Sequence, residues 1–117
     1  MSSYSQQLYS EECSYETPYK IYPISGKSMQ PLIYAGDEVV DVPVSLSNLE
    51  VGSIIIFQIP KKRLIHRIIS ITSDGRYITK GDNNLIWDFR FFPFIPLKTN
   101  FSQVYGKVVC IRGFKYR

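Results

Sequence analysis

No stretch of this sequence is long and apolar enough to cross a bilayer as a helix. That takes roughly 18 consecutive apolar residues, and runs such as Ile54-Ile55-Ile56-Phe57 end after four. A secretory leader is equally unsupported: Met1 to Tyr19 is polar, carries Glu11, Glu12 and Glu16, and has no apolar core segment. The expected location is therefore cytoplasmic. Cysteine is scarce. Cys13 and Cys110 fit no metal-ligand spacing, so neither a metal site nor a cofactor is expected, and in a cytoplasmic chain two reduced thiols are expected rather than a disulfide. Histidine occurs once, at position 66. The chain has no repeat, no low-complexity tract and no internal linker.

What is present fits one folded domain. The 117 residues are 44% apolar, enough for a single core and too many for a disordered chain. Tyr, Phe, Ile and Val dominate, which favours strands. The net charge of +4 is carried largely by Lys61-Lys62-Arg63 and by Arg112, Lys115 and Arg117. These form no helical stripe and accompany no nucleic-acid-binding signature. They read as a solvated turn and a basic terminus, so no nucleic-acid partner is expected.

Residues 1–18 read as a flexible arm and 19–117 as the folded domain. Residues 19–25 form a strand that enters the bend Gly26-Lys27-Ser28-Met29-Gln30-Pro31; a helical turn over 29–34 and a Gly36-Asp37 turn follow. Glu38–Val42 is a strand and 43–50 a loop. Ser53–Ile59 is a strand whose continuous apolar run implies burial on both faces, and Pro60 ends it. Lys61-Lys62-Arg63 marks a turn. Leu64–Ile71 and Tyr77–Thr79 are strands joined at Asp74-Gly75, a two-residue hairpin signal. Lys80–Asn84 is a polar turn, Ile86–Leu97 an aromatic, proline-broken segment, and Val104–Ile111 the last strand. The fold expected is all-β, antiparallel, with little helix.

Three polar features stand out against this background. Ser28 sits in a bend that Gly26 and Pro31 favour and that lifts a hydroxyl off the sheet. His66 lies mid-strand between Ile65 and Arg67. Asp82 and Asp88 flank the turn after the next strand. Counting back through the hairpin sets His66 opposite a residue near Asn83. Singly, each has a commoner explanation: a turn serine, a satisfied strand histidine, a turn-forming aspartate. Together they are the parts of an activated hydroxyl. A serine needs an adjacent base, imidazole titrates near neutrality, and a carboxylate fixes its tautomer.

These residues resemble the signal peptidase clan, which includes the LexA-type self-cleaving repressors. Gly26–Leu32 with Gly36–Val40 is similar to the nucleophile box, and Val51–Phe57 to the second box, with Ser53 where the family usually has Asp. Leu64–Ile69 is similar to the general-base box. Tyr77–Asn84 followed by Asp88 is similar to the last box, and Gly106–Val109 to the closing strand. The match spans about residues 20–111. A histidine rather than a lysine at position 66 resembles the endoplasmic-reticulum and archaeal-type branch. The resemblance implies a coiled, partly closed antiparallel β-sheet. It implies Ser28 as nucleophile, His66 as base, and Asp88, with Asp82 second, as the orienting carboxylate. It implies an oxyanion and substrate side built from Ser28, Gly26, Ser25 and Met29. Gly26 stands where the family often has a hydroxyl, leaving Ser25 to supply one.

The expected function is a small serine endopeptidase that cuts an extended peptide or leader. The membrane anchor of signal peptidases and the DNA-binding domain of the repressors have no counterpart in the polar arm. That departure supports an alternative, a catalytically weak or inactive peptide-binding or assembly module. The aromatic stretch Trp87–Ile95 is a further candidate, for peripheral membrane contact, against the ordinary role of filling a core. Oligomeric state is open.

Overall fold

The computed structural model describes residues 20–59, 62–85 and 99–112. Six strands make one sheet: β1 (Lys20–Pro23), β2 (Glu38–Val42), β3 (Ile54–Ile59), β4 (Lys62–Ile71), β5 (Tyr77–Lys80) and β6 (Val104–Arg112). Their order is β1-β2-β6-β3-β4-β5, and every pairing is antiparallel. The fold is all-β, as expected. β1 and β5 are its two edges and do not pair with each other. Among the described residues the helical content is two short 3-10 turns, Leu46–Asn48 and Phe101–Gln103.

β3 shows why the sheet forms. Ile54, Ile55, Ile56 and Phe57 are each 1% exposed or less. Alternation along the strand sends them to opposite faces. Ile54 and Ile56 join Met29, Ile33, Val39, Val108 and Ile111 in one cluster. Ile55 and Phe57 join Leu49, Ile68, Tyr77 and Val104 in the other. Each buried side chain of this kind contributes about 1.5–3 kcal/mol. β3 is thus covered on both faces and paired on both edges, by β4 and β6. The pairing of β6 between β2 and β3 joins segments that are far apart in sequence. Lys107 Nζ reaches from β6 to the Asn48 carbonyl at 2.8 Å and ties down the loop between β2 and β3.

Three local expectations change. The basic run does not precede its strand, since β4 already begins at Lys62. The β4–β5 hairpin closes on a three-residue loop, Ser73-Asp74-Gly75, because Thr72 N–H donates to the Arg76 carbonyl. The Thr72 hydroxyl and the Arg76 guanidinium both donate to Asp74 and hold its carboxyl below the usual value. The segment after Ser28 is a hydrogen-bonded turn rather than a helix: Leu32 and Ile33 N–H both donate to the Met29 carbonyl, at 3.0 and 2.9 Å.

Cys110 is buried on β6 and disulfide-bonded, which corrects the expectation of reduced thiols. The other cysteine, Cys13, lies outside the described residues. Sequence separation says nothing about how near two cysteines come once the sheet has formed, so the spacing could not have shown this. Asp88 and the stretch Trp87–Ile95 also lie outside the described residues.

Gly106 on β6 lies against the buried Asp41 of β2, where that ladder bulges. A Cβ at position 106 would fall on the Asp41 carboxylate. Gly106→Ala is expected to cost about 1–3 kcal/mol of unfolding free energy, measured by urea denaturation.

Candidate active site

The Ser28 bend is held from three directions. Behind it, Ile24 N–H donates to the Asp37 carbonyl at 2.9 Å and Gly36 N–H to the Ile24 carbonyl at 3.0 Å, extending the β1–β2 pairing to the foot of the bend. Gly26 has φ of 83°, the positive value that the expected turn requires. Beneath it, Met29 and Ile33, 3% and 1% exposed, plug the bend into the first core cluster. Alongside it runs the turn after β5. Asn83 N–H donates to the Ser28 carbonyl at 2.8 Å, and Asn83 Nδ2 donates to the Lys27 carbonyl at 3.1 Å. The Asp82 N–H points at Met29 Sδ, 3.4 Å away.

Gly81 makes this approach feasible. A Cβ there would lie 2.7 Å from the Ser28 carbonyl oxygen and 3.0 Å from Ser28 Cβ. The two turns pack backbone to backbone, and a side chain would pry them apart.

His66 enters from β4, paired with Ile55. It is 5% exposed, and its ring meets Phe57 edge-on at 6.3 Å between centroids. His66 Nε2 lies 3.1 Å from Ser28 Oγ. Residues 38 positions apart in sequence thus form a serine–imidazole pair. With the ring proton on Nδ1, Nε2 accepts from the Ser28 hydroxyl, the arrangement that activates a serine. The Ser28 backbone N–H has no hydrogen-bond partner among the described residues.

Asp82 is not the partner of His66. Arg67 Nε donates to Asp82 Oδ1 at 2.9 Å and Arg67 Nη2 to Oδ2 at 2.8 Å. Arg67 Nη1 also reaches the Gly52 carbonyl at 2.9 Å. Neighbours on a strand face opposite ways, so a carboxylate on the Arg67 side is turned from the imidazole. The guanidinium fork then takes both oxygens in the geometry that suits it best. The hairpin count was also displaced. The three-residue loop and the register shift between Ile68 and Ser70 each move the count by one, so Arg67 pairs with Lys80 and the pairing extrapolates from His66 to Gly81 rather than to Asn83.

A cleft of about 540 Å³ opens in front of the pair. The segment Ile24 to Met29 forms one wall, including the expected Ser25, Gly26 and Met29, and Arg63 to His66 forms the other. Ile33 and Ile56 line its floor, and Asn84 reaches it from the turn beside Ser28. Ser25 and Gly26 are exposed, whereas Met29 is a core residue that shows the cleft only its edge. β4 is longer than β5, which covers only Arg67–Ile71. The edge at Leu64 and Ile65 therefore faces the cleft with no strand upon it among the described residues. In the sequence, Arg67, Gly81 and Asn84 carry little signal that sets them apart from the segments Leu64–Ile69 and Tyr77–Asn84. Their work is tertiary, and the one local signal was an arginine directly after the lone histidine.

No family model matches this chain, and no curated protein matches it.

Replacing Gly81 by Ala tests the backbone contact. A crystal structure of that variant is expected to show Ser28 Oγ moved beyond 3.5 Å from His66 Nε2, outside hydrogen-bond range. An unchanged distance would mean that the turn after β5 does not position Ser28.

Proposed function

We propose that the protein is a small serine endopeptidase resembling signal peptidases of the histidine type, acting on an extended peptide or leader. The observation that carries this reading is the 3.1 Å contact between Ser28 Oγ and His66 Nε2 at the end of an open cleft. The substrate adds as a strand along Leu64–Ile65, using main-chain hydrogen bonds for affinity and side-chain pockets for choice. Ser28 Oγ attacks the scissile carbonyl carbon while His66 takes its proton. The oxyanion forms against the Ser28 N–H. Collapse breaks the C–N bond, and His66 returns the proton to the leaving amine. Water, deprotonated by His66, then attacks the acyl ester, and the peptide acid leaves as Ser28 regains its proton.

A carboxylate orienting His66 belongs to this reading, and Asp88 is its candidate. Asp82 takes a different part: through Arg67 it steadies the turn that steadies Ser28. No helix among the described residues is long and apolar enough to cross a membrane. The disulfide at Cys110 runs against the cytoplasmic location expected from the sequence, since disulfides persist mainly in oxidising compartments; peripheral membrane contact through Trp87–Ile95 is a further proposal.

One observation favours the alternative of an inactive peptide-binding module. The acidic side chain nearest in the boxes, Asp82, is spent on Arg67, and position 26 offers no hydroxyl to an oxyanion. Cleavage separates the readings. With a peptide library read by mass spectrometry, the wild-type protein is expected to cut, and Ser28→Ala to lose at least about 10³-fold in rate while unfolding at the same temperature. Equal cleavage by Ser28→Ala would remove Ser28 from the mechanism, and no cleavage by either would leave the binding module.

A further inference from the structure

We infer that Asn83 is a positioning residue of the proposed reaction: its side-chain amide turns the Ser28 N–H into the cleft to meet the oxyanion. The inference deepens the peptidase reading and rests on it for the charge that this N–H would face. Its observation is the way the Lys27 carbonyl is held. Asn83 Nδ2 donates to that oxygen at 3.1 Å, and Gln30 N–H donates to it at 3.1 Å as well. A carbonyl oxygen can only accept, so the amide nitrogen of Asn83 is the atom that faces it.

The Lys27 carbonyl and the Ser28 N–H belong to one peptide unit. That unit is planar and trans, so its C=O and N–H point in opposite directions. The two donors hold the carbonyl toward the bend and the turn after β5, and thereby hold the N–H away from them. No described residue accepts from this N–H, and Ser28 is half-buried on the wall of the cleft. A fixed N–H that faces the reacting atoms stabilises a developing anion, because nothing must reorganise before it donates. Hydrogen bonds to the carbonyl also polarise the peptide unit and strengthen its N–H as a donor.

The backbone and the side chain of Asn83 do separable work. Asn83 N–H donates to the Ser28 carbonyl at 2.8 Å, and this bond joins the two turns independently of the side chain. The side chain is exposed and reaches Lys27, 56 positions away in sequence. A substitution there releases the Lys27 carbonyl and leaves the turns packed.

The test reads the rate at which a fluorophosphonate labels Ser28, since the phosphoryl oxygen gains charge as a peptide carbonyl oxygen does. In that step the Ser28 Oγ–P bond forms, the P–F bond breaks, fluoride leaves, and His66 takes the hydroxyl proton. Asn83→Ala removes one of the two donors to the Lys27 carbonyl, and labelling is expected to slow about three- to tenfold, the scale of one hydrogen bond. Asn83→Asp sets a carboxylate against that carbonyl and favours turning the peptide unit over. Its labelling is expected to slow about 100-fold, the scale of a lost oxyanion donor. The midpoint of the rate against pH is expected to stay unchanged in Asn83→Ala, because the base is untouched. By NMR, the Ser28 amide proton of the wild-type protein is expected to move downfield when the adduct forms, and to move less in Asn83→Asp. Both variants are checked for folding by circular dichroism. Equal rates in the three proteins, a slower rate accompanied by a shifted midpoint, or an amide proton that stays in place on labelling overturns the inference and leaves the peptidase reading standing. No adduct on the wild-type protein removes the peptidase reading and, with it, this role for Asn83.

Discussion

The arrangement around Ser28 depends on one ion pair. Arg67 holds both oxygens of Asp82 and, with its third nitrogen, the carbonyl of Gly52. These contacts bind the turn after β5 to the middle of β4 and to the turn before β3. The pair is partly buried, with side chains 19% and 22% exposed, so it is less screened than a surface bridge. The Asp82 turn in turn holds the Ser28 bend through Asn83, and Gly81 lets the two backbones meet. Ser28 is set by a relay that begins on the residue next to His66, so one strand positions both members of the pair.

This relay needs a sheet that does not yield. β3 provides it, with both faces covered by apolar clusters and both edges paired. Met29 and Ile33 belong to one of those clusters, so the core that stabilises the sheet also seats the Ser28 bend. Among the described residues, the unequal lengths of β4 and β5 then leave an edge beside the serine. Stability and site geometry come from the same packing, and the cleft lies where strand pairing stops.

Much of this was legible in the sequence. The apolar run at Ser53–Ile59 marked a strand buried on both faces, and Glu38–Val42 and Val104–Ile111 marked two of its companions. Ser28 and His66 stood out as a candidate pair, because a lone histidine in an apolar strand and a serine in a bend are each conspicuous, and the fold brings them to 3.1 Å. Other features are decided by tertiary contacts that no local pattern records. The extra residue between Ile68 and Ser70 moved the hairpin register, and a three-residue loop replaced a two-residue one. Asp82 could serve either of two neighbours on β4, and the fork of Arg67 outmatches an imidazole on the far face. The insertion of β6 between β2 and β3 joins segments far apart in the chain.

The central claim is that Ser28 is a hydroxyl made nucleophilic by His66. Labelling with a fluorophosphonate, followed by peptide mapping, addresses it directly, since the reagent reports nucleophilicity without a known substrate. The expected result is a single adduct on Ser28, formed at least about 100-fold more slowly in a folded His66→Ala protein. No adduct, an adduct on another residue, or an unchanged rate without the imidazole would contradict it.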